Sequence, residues 1–95
     1  MHVTLALPRA LRAYAGGEAT LHLEVPEGAT VAALLDTVAA MHPGVSSRAR
    51  DEAGHLREHV NVFVAGESVR SREGLATTLA PGDEVMILPA VSGGL

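Results

Sequence analysis

Pro81-Gly82-Asp83, followed by Glu84-Val85-Met86-Ile87-Leu88-Pro89, is the stretch on which the fold turns. Proline early in the first triplet and glycine at its conformationally demanding position make it a turn. Four apolar residues in succession, Val85 to Leu88, then read as a strand. A strand with one wet face alternates apolar and polar residues, whereas a continuous apolar run fits a central strand with cover on both faces. The last strand is therefore expected in the middle of a sheet. Behind it, Val91-Ser92-Gly93-Gly94-Leu95 is a run of small residues with a near-terminal Gly-Gly. Without Cβ atoms, Gly93 and Gly94 fit a channel too narrow for side chains, so such a tail suits a carboxylate threaded into another protein's active site. The bland alternative is an ordinary frayed chain end.

Working back from that strand, His59 to Ala65 alternates, with Val60, Val62 and Val64 set against Asn61 and Phe63. Gly66 permits a tight turn into a short strand around Ser68 to Arg70, which makes a hairpin. At the other end of the chain, His2 to Leu7 places Val3, Leu5 and Leu7 on one side, and Thr20 to Val25 places Leu21, Leu23 and Val25 inward. These period-two patterns predict a second hairpin, its strands joined by a loop from Pro8 through Ala15-Gly16-Gly17. Thr30 stands at a helix N-cap, and Val31, Leu34, Leu35, Val38 and Met41 follow at helical spacing until His42-Pro43-Gly44 stops the helix. Val45 to Glu58 is expected to be a polar crossover with at most a short helical turn capped by Ser46-Ser47, and Leu75 to Leu79 one further helical turn. The order β-β-α-β-β-β, with one long helix across a sheet and a central last strand, describes an α+β domain: a ubiquitin-like β-grasp with a mixed four- or five-stranded sheet. Residues 1–90 form that domain and residues 91–95 a flexible tail.

Composition narrows function. Ninety-five residues allow one domain. Phe63 and Tyr14 are the only aromatics and the formal net charge is −4, so base-stacking platforms and a phosphate-binding surface are both missing and nucleic acid is not an expected partner. All seven basic residues are arginine; without lysine the chain cannot be its own isopeptide acceptor. Without cysteine there is no side-chain thiol, so any sulfur would have to ride on the main chain. Met1 to Leu7 lacks the pattern of a signal peptide and no stretch is apolar for long enough to span a bilayer, which predicts a cytoplasmic protein without membrane attachment.

Val60-Asn61-Val62-Phe63-Val64, Gly74-Leu75-Ala76-Thr77, Pro81 to Val91 and Gly93-Gly94 together resemble the small bacterial sulfur carriers of the MoaD/ThiS type, over essentially the whole chain. The wording Leu88-Pro89-Ala90-Val91-x-Gly93-Gly94 is most similar to the thiocarboxylate carrier of cysteine biosynthesis. The resemblance implies that a ubiquitin-activating-type adenylyltransferase/sulfurtransferase uses ATP and magnesium to turn the Gly94 carboxylate into an acyl-adenylate. Sulfur then displaces AMP, giving a thiocarboxylate for a sulfur-accepting biosynthetic enzyme that makes cysteine, thiazole, molybdopterin or a specialised metabolite. The carrier itself binds no cofactor and is not an enzyme. Gly94 carries the sulfur, and Val91, Ser92 and Gly93 are read with it by the partner. Leu95 departs from this pattern, because it places Gly94 in an amide bond. Removal by a JAMM-type zinc peptidase acting between Gly94 and Leu95, an extra residue contributed by an expression vector, and loss of carrier activity are the three explanations.

Partner binding is expected at Phe63 and Val91, with Arg70 and Arg72 available to pair with acidic residues; core packing for Phe63 and plain solubility for the arginines are the alternatives. His55 and His59 have ligand-pair spacing, but His59 opens a strand and nothing completes a four-ligand set, so no metal site is expected. Asp51-Glu52 and Asp83-Glu84 read as solvated turn charges. A non-activated β-grasp interaction module with an idle tail is the second function class.

Overall fold

A computed structural model describes residues 1–89. The elements are β1 (His2–Ala6), α1 (Arg9–Arg12), β2 (Thr20–Glu24), α2 (Val31–Met41), α3 (Pro43–Ala49), β3 (Val60–Val64), β4 (Glu67–Ser68) and β5 (Glu84–Pro89), with short 3-10 turns at Ala13–Ala15, Val69–Ser71 and Gly74–Ala76. The five strands form one mixed sheet in the order β2-β1-β5-β3-β4. β5 lies in the middle, parallel to β1 and antiparallel to β3, as its apolar run predicts. This is the β-grasp arrangement.

α2 occupies the expected residues because its signals agree. The Thr30 hydroxyl accepts from the Ala33 N–H at 3.2 Å, and Val31, Leu34, Leu35 and Val38 are fully buried against the sheet. They meet Val3 and Leu5 of β1, Leu21 and Leu23 of β2, Val60, Val62 and Val64 of β3, and Val85 and Ile87 of β5, all in one core. The inward sets read from the alternation are the buried sets.

Three expectations are corrected. The stretch after Pro8 is α1 and a 3-10 turn, not a loop: Leu11 and Ala15, one helical turn apart, are both buried, and Gly16 at φ 67° ends the run. The segment after α2 is the helix α3. Pro43 does stop α2, but proline is well suited to the first helical position, where no N–H is needed, so it also starts the next helix. Val45, Ser46 and Ala49 form a narrow buried face too small to register as an apolar stripe. The third correction concerns the hairpin after β3, whose second strand is only Glu67–Ser68, with Val69–Ser71 turning away as a 3-10 turn. Gly44, expected as a helix breaker, is in α3 because a Cβ there would lie 2.9 Å from Cδ1 of Tyr14. In the loop after α3, Oδ1 of Asp51 accepts from the His55 N–H (2.9 Å) and the Ala53 N–H (3.0 Å). These bonds, the one from His55 foremost, hold its carboxyl below the ordinary value, which makes it a loop-fixing charge.

Candidate functional site

β5 ends at Pro89, opposite Val60 at the start of β3. The chain that continues toward the Gly-Gly therefore leaves from the centre of one end of the sheet. The residues expected to be chemically involved, Gly94 with Val91, Ser92, Gly93 and Leu95, lie outside the described residues. What the structure shows is the body from which they depart.

Two surfaces meet at that point. The first is the face of the sheet turned away from α2. Phe63 lies directly opposite Met86, Asn61 opposite Leu88, and Ala6 beside Met86 on the other flank. Ala6, Phe63, Met86 and Leu88 are all half-buried, forming an apolar strip across three strands. Cover on both faces of β5 was expected, and here the structure differs: Val85 and Ile87 are buried while Met86 and Leu88 on the opposite side are only partly so. The continuous apolar run thus has two causes, a core face and a strip of surface. Phe63 is half-exposed on that strip, as its position opposite the valine face implied.

The second surface is a cleft of about 370 Å³ at the end of the strands, lined by Pro8, Leu11, Tyr14, Arg48, His59 and Pro89 among others. Tyr14 is 42% exposed and the guanidinium carbon of Arg48 lies 3.6 Å from its ring centre, a cation over a π face. Arg48, Arg57 and His59 line an adjoining hollow, so this end of the sheet is basic although the whole chain is acidic. Asp83 and Glu84 stand at the opposite end of β5.

Arg70 and Arg72, grouped by sequence, do different things. β4 spans only two residues, so among the described residues the outer edge of β3 near Val60 has no strand beside it. Nη2 of Arg70 fills that place, donating to the Val60 carbonyl at 2.7 Å and to the Arg57 carbonyl at 3.3 Å. Arg72 reaches back along the surface, its Nε 3.6 Å from Glu67. Met86, Leu88, Tyr14 and Arg48 were not singled out by sequence. For Met86 and Leu88 the signal was present, since a period-two reading of the apolar run puts them on the face of Phe63.

His55 and His59 do not form a pair: His55 lies 3.8 Å from Asp51, and His59 lines the cleft. Among the described residues, no group of three or more histidine, aspartate or glutamate side chains could hold a metal ion. No helix in the described residues is long and apolar enough to cross a membrane.

Comparison with known proteins agrees with this geometry. The chain is 41% identical over 96 residues to the sulfur carrier protein CysO of Mycobacterium tuberculosis, covering 99% of this chain and all of that one. The crystal structure of SAMP1 from Haloferax volcanii superposes with a TM-score of 0.82 at 34% identity, covering 99% of this chain and 100% of that one. CysO in the Amycolatopsis orientalis BexX/CysO complex superposes equally well, with a TM-score of 0.82 at 39% identity over 97% of this chain and 99% of that one. The profile of the ThiS family matches residues 5–94, from β1 to the second glycine of the tail. A match of that extent, carried on the same central last strand, makes the chain a member of the ThiS family.

Proposed function

We propose that this protein is a sulfur carrier activated at Gly94. Once Leu95 is removed, for which a JAMM-type zinc peptidase is the candidate, the Gly94 carboxylate attacks the α-phosphorus of ATP on a ubiquitin-activating-type enzyme with magnesium. Pyrophosphate leaves and an acyl-adenylate forms. A sulfur nucleophile then attacks the acyl carbon and AMP departs, leaving a thiocarboxylate whose sulfur a biosynthetic enzyme takes up. The observation that carries this reading is the full-length relationship to a protein named as a sulfur carrier. The family match, which runs through Gly94, agrees with it. The chain contains no cysteine, so it offers no competing thiol.

The body's part is presentation. The strip of Ala6, Phe63, Met86 and Leu88 lies beside the departure point of the tail, where a partner can hold the domain while the glycines enter its channel. Aromatic and methionine side chains are the types that anchor such contacts. That CysO of Amycolatopsis orientalis is found in a complex with BexX supports a docking role for this fold.

The test compares the chain as written with a form ending at Gly94, each mixed with a ubiquitin-activating-type enzyme that acts on carriers of this family, magnesium, ATP and sulfide. Intact-mass spectrometry should show one oxygen replaced by sulfur in the shortened form only, and Gly94→Ala should slow the exchange strongly because of the added Cβ. A folded, shortened chain that acquires neither adenylate nor sulfur overturns the proposal in favour of an interaction module with an idle tail.

A further inference from the structure

The β1–β2 hairpin brings together two histidines twenty positions apart in sequence. Its register sets His2 opposite Glu24 and Thr4 opposite His22, so His2, His22 and Glu24 share the outer face at the end of the sheet away from Pro89. Nδ1 of His2 is 3.1 Å from Oε2 of Glu24, and Nε2 of His2 is 3.3 Å from Nδ1 of His22. The ring planes lie 21° from parallel with their centres 5.4 Å apart, an offset arrangement in which the closest approach is between the two nitrogens.

An ionised carboxylate only accepts, so the neutral His2 ring carries its proton on Nδ1 and turns the Nε2 lone pair toward His22. That is the tautomer a metal ligand needs, and a carboxylate behind the ring is the partner that metal-bound histidines commonly have. A tetrahedral ion with metal–nitrogen bonds of about 2.0–2.1 Å holds two imidazole nitrogens roughly 3.3–3.4 Å apart, the spacing already present, and the right-angled geometry of nickel or copper brings them to about 2.9 Å, a small rotation of the exposed rings away. An ion could therefore replace the bridging proton, with His22 moving its proton to Nε2 and without backbone motion. The amino group of Met1 donates to the Val25 carbonyl at 2.6 Å and lies 4.0 Å from Oε1 of Glu24, so it is a neighbour of the positioning carboxylate and not a third ligand. The side chain of His2 is 50% exposed, so water completes the coordination shell.

We propose that His2 and His22 form a two-nitrogen binding site for one divalent transition-metal ion of the zinc, nickel or copper kind, with Glu24 as the positioning residue. The bound ion ties β1 to the edge strand β2. It acts apart from the sulfur chemistry and does not depend on it.

The full, untagged chain is titrated with nickel and, separately, zinc by calorimetry, with the imidazole resonances followed by NMR. One ion per chain is expected, with nickel broadening centred on His2 and His22. His22→Gln should weaken binding at least tenfold and Glu24→Gln about tenfold, the size of effect usual for a partner behind a metal-bound histidine. The His55→Gln, His59→Gln double variant should bind as the parent does. All four positions are exposed, and circular dichroism confirms that each variant is folded. Binding unaffected by His22→Gln, broadening centred on His55 and His59, or an ion shared between two chains in sedimentation would each overturn the proposal.

Discussion

Arg70→Ala separates a structural arginine from one that serves a partner. The guanidinium makes one short bond to a partly buried carbonyl, that of Val60 at 2.7 Å, and one longer, exposed bond to Arg57 at 3.3 Å. Hydrogen bonds to a charged group contribute about 1.5–3 kcal/mol net. The Val60 bond should fall in that range, while water can largely replace the Arg57 bond, so the substitution should cost about 1.5–2.5 kcal/mol. For a domain of this size that corresponds to a fall in melting midpoint of roughly 6–20 °C. Arg70→Lys, with a compact ammonium in place of the fork, should recover only part of the loss. Arg72→Ala is the control: its exposed pair with Glu67 at 3.6 Å should contribute about 0–1 kcal/mol. Urea unfolding followed by circular dichroism measures all three, and an unchanged m-value shows that the variants unfold from the same state. If Arg70→Ala proves no more destabilising than Arg72→Ala, the reasoning about the uncovered edge of β3 is wrong and Arg70 returns to the candidate docking residues.

Leu35→Ala removes a fully buried side chain beneath the sheet and should destabilise by about 2–5 kcal/mol in the same assay; a cost under 1 kcal/mol would mean that the core collapses around the gap. Ala65 and Gly66 turn the β3–β4 hairpin with φ of 50° and 85°, a conformation costly for alanine and congenial to asparagine. Ala65→Asn should accordingly stabilise by roughly 0.5–1 kcal/mol, and a lowered midpoint would contradict the strain argument. Phe63→Asp should leave the fold intact but weaken the complex with the activating enzyme at least about tenfold by calorimetry, whereas unchanged affinity would remove Phe63 from the interface.

Much of this architecture was legible because local signals and packing agreed. α2 is capped by Thr30 and runs from Val31 to Met41, where cap and stripe both put it, and the buried residues of β1, β2 and β3 are the alternating ones. What escaped were elements whose inward face is small. α1 buries Leu11, followed by Ala15 in the 3-10 turn, and α3 buries Val45, Ser46 and Ala49, too few apolar residues to outweigh the neighbouring glycine, proline and serine signals. The misjudged cover on β5 has a different origin: a run of apolar residues records dryness without saying whether the chain itself or another molecule excludes the water. Arg70 could not be placed by sequence, because its role depends on β4 stopping after Ser68. The same holds for His2 and His22, which only the strand register brings together.

The parallel pairing of β5 with β1 joins residues from opposite ends of the sequence, Thr4 beside Glu84. Contacts of such long sequence separation form late, after the loop-closure entropy has been met. Until β5 inserts, the N-terminal hairpin and the β3–β4 hairpin share no sheet, and Ala6, Phe63, Met86 and Leu88 belong to three unconnected strands. An incompletely folded chain thus possesses its glycines but not the strip beside which they are offered. A partner that must grip the strip before admitting the tail would load only finished molecules, so recognition would double as a check that folding is complete.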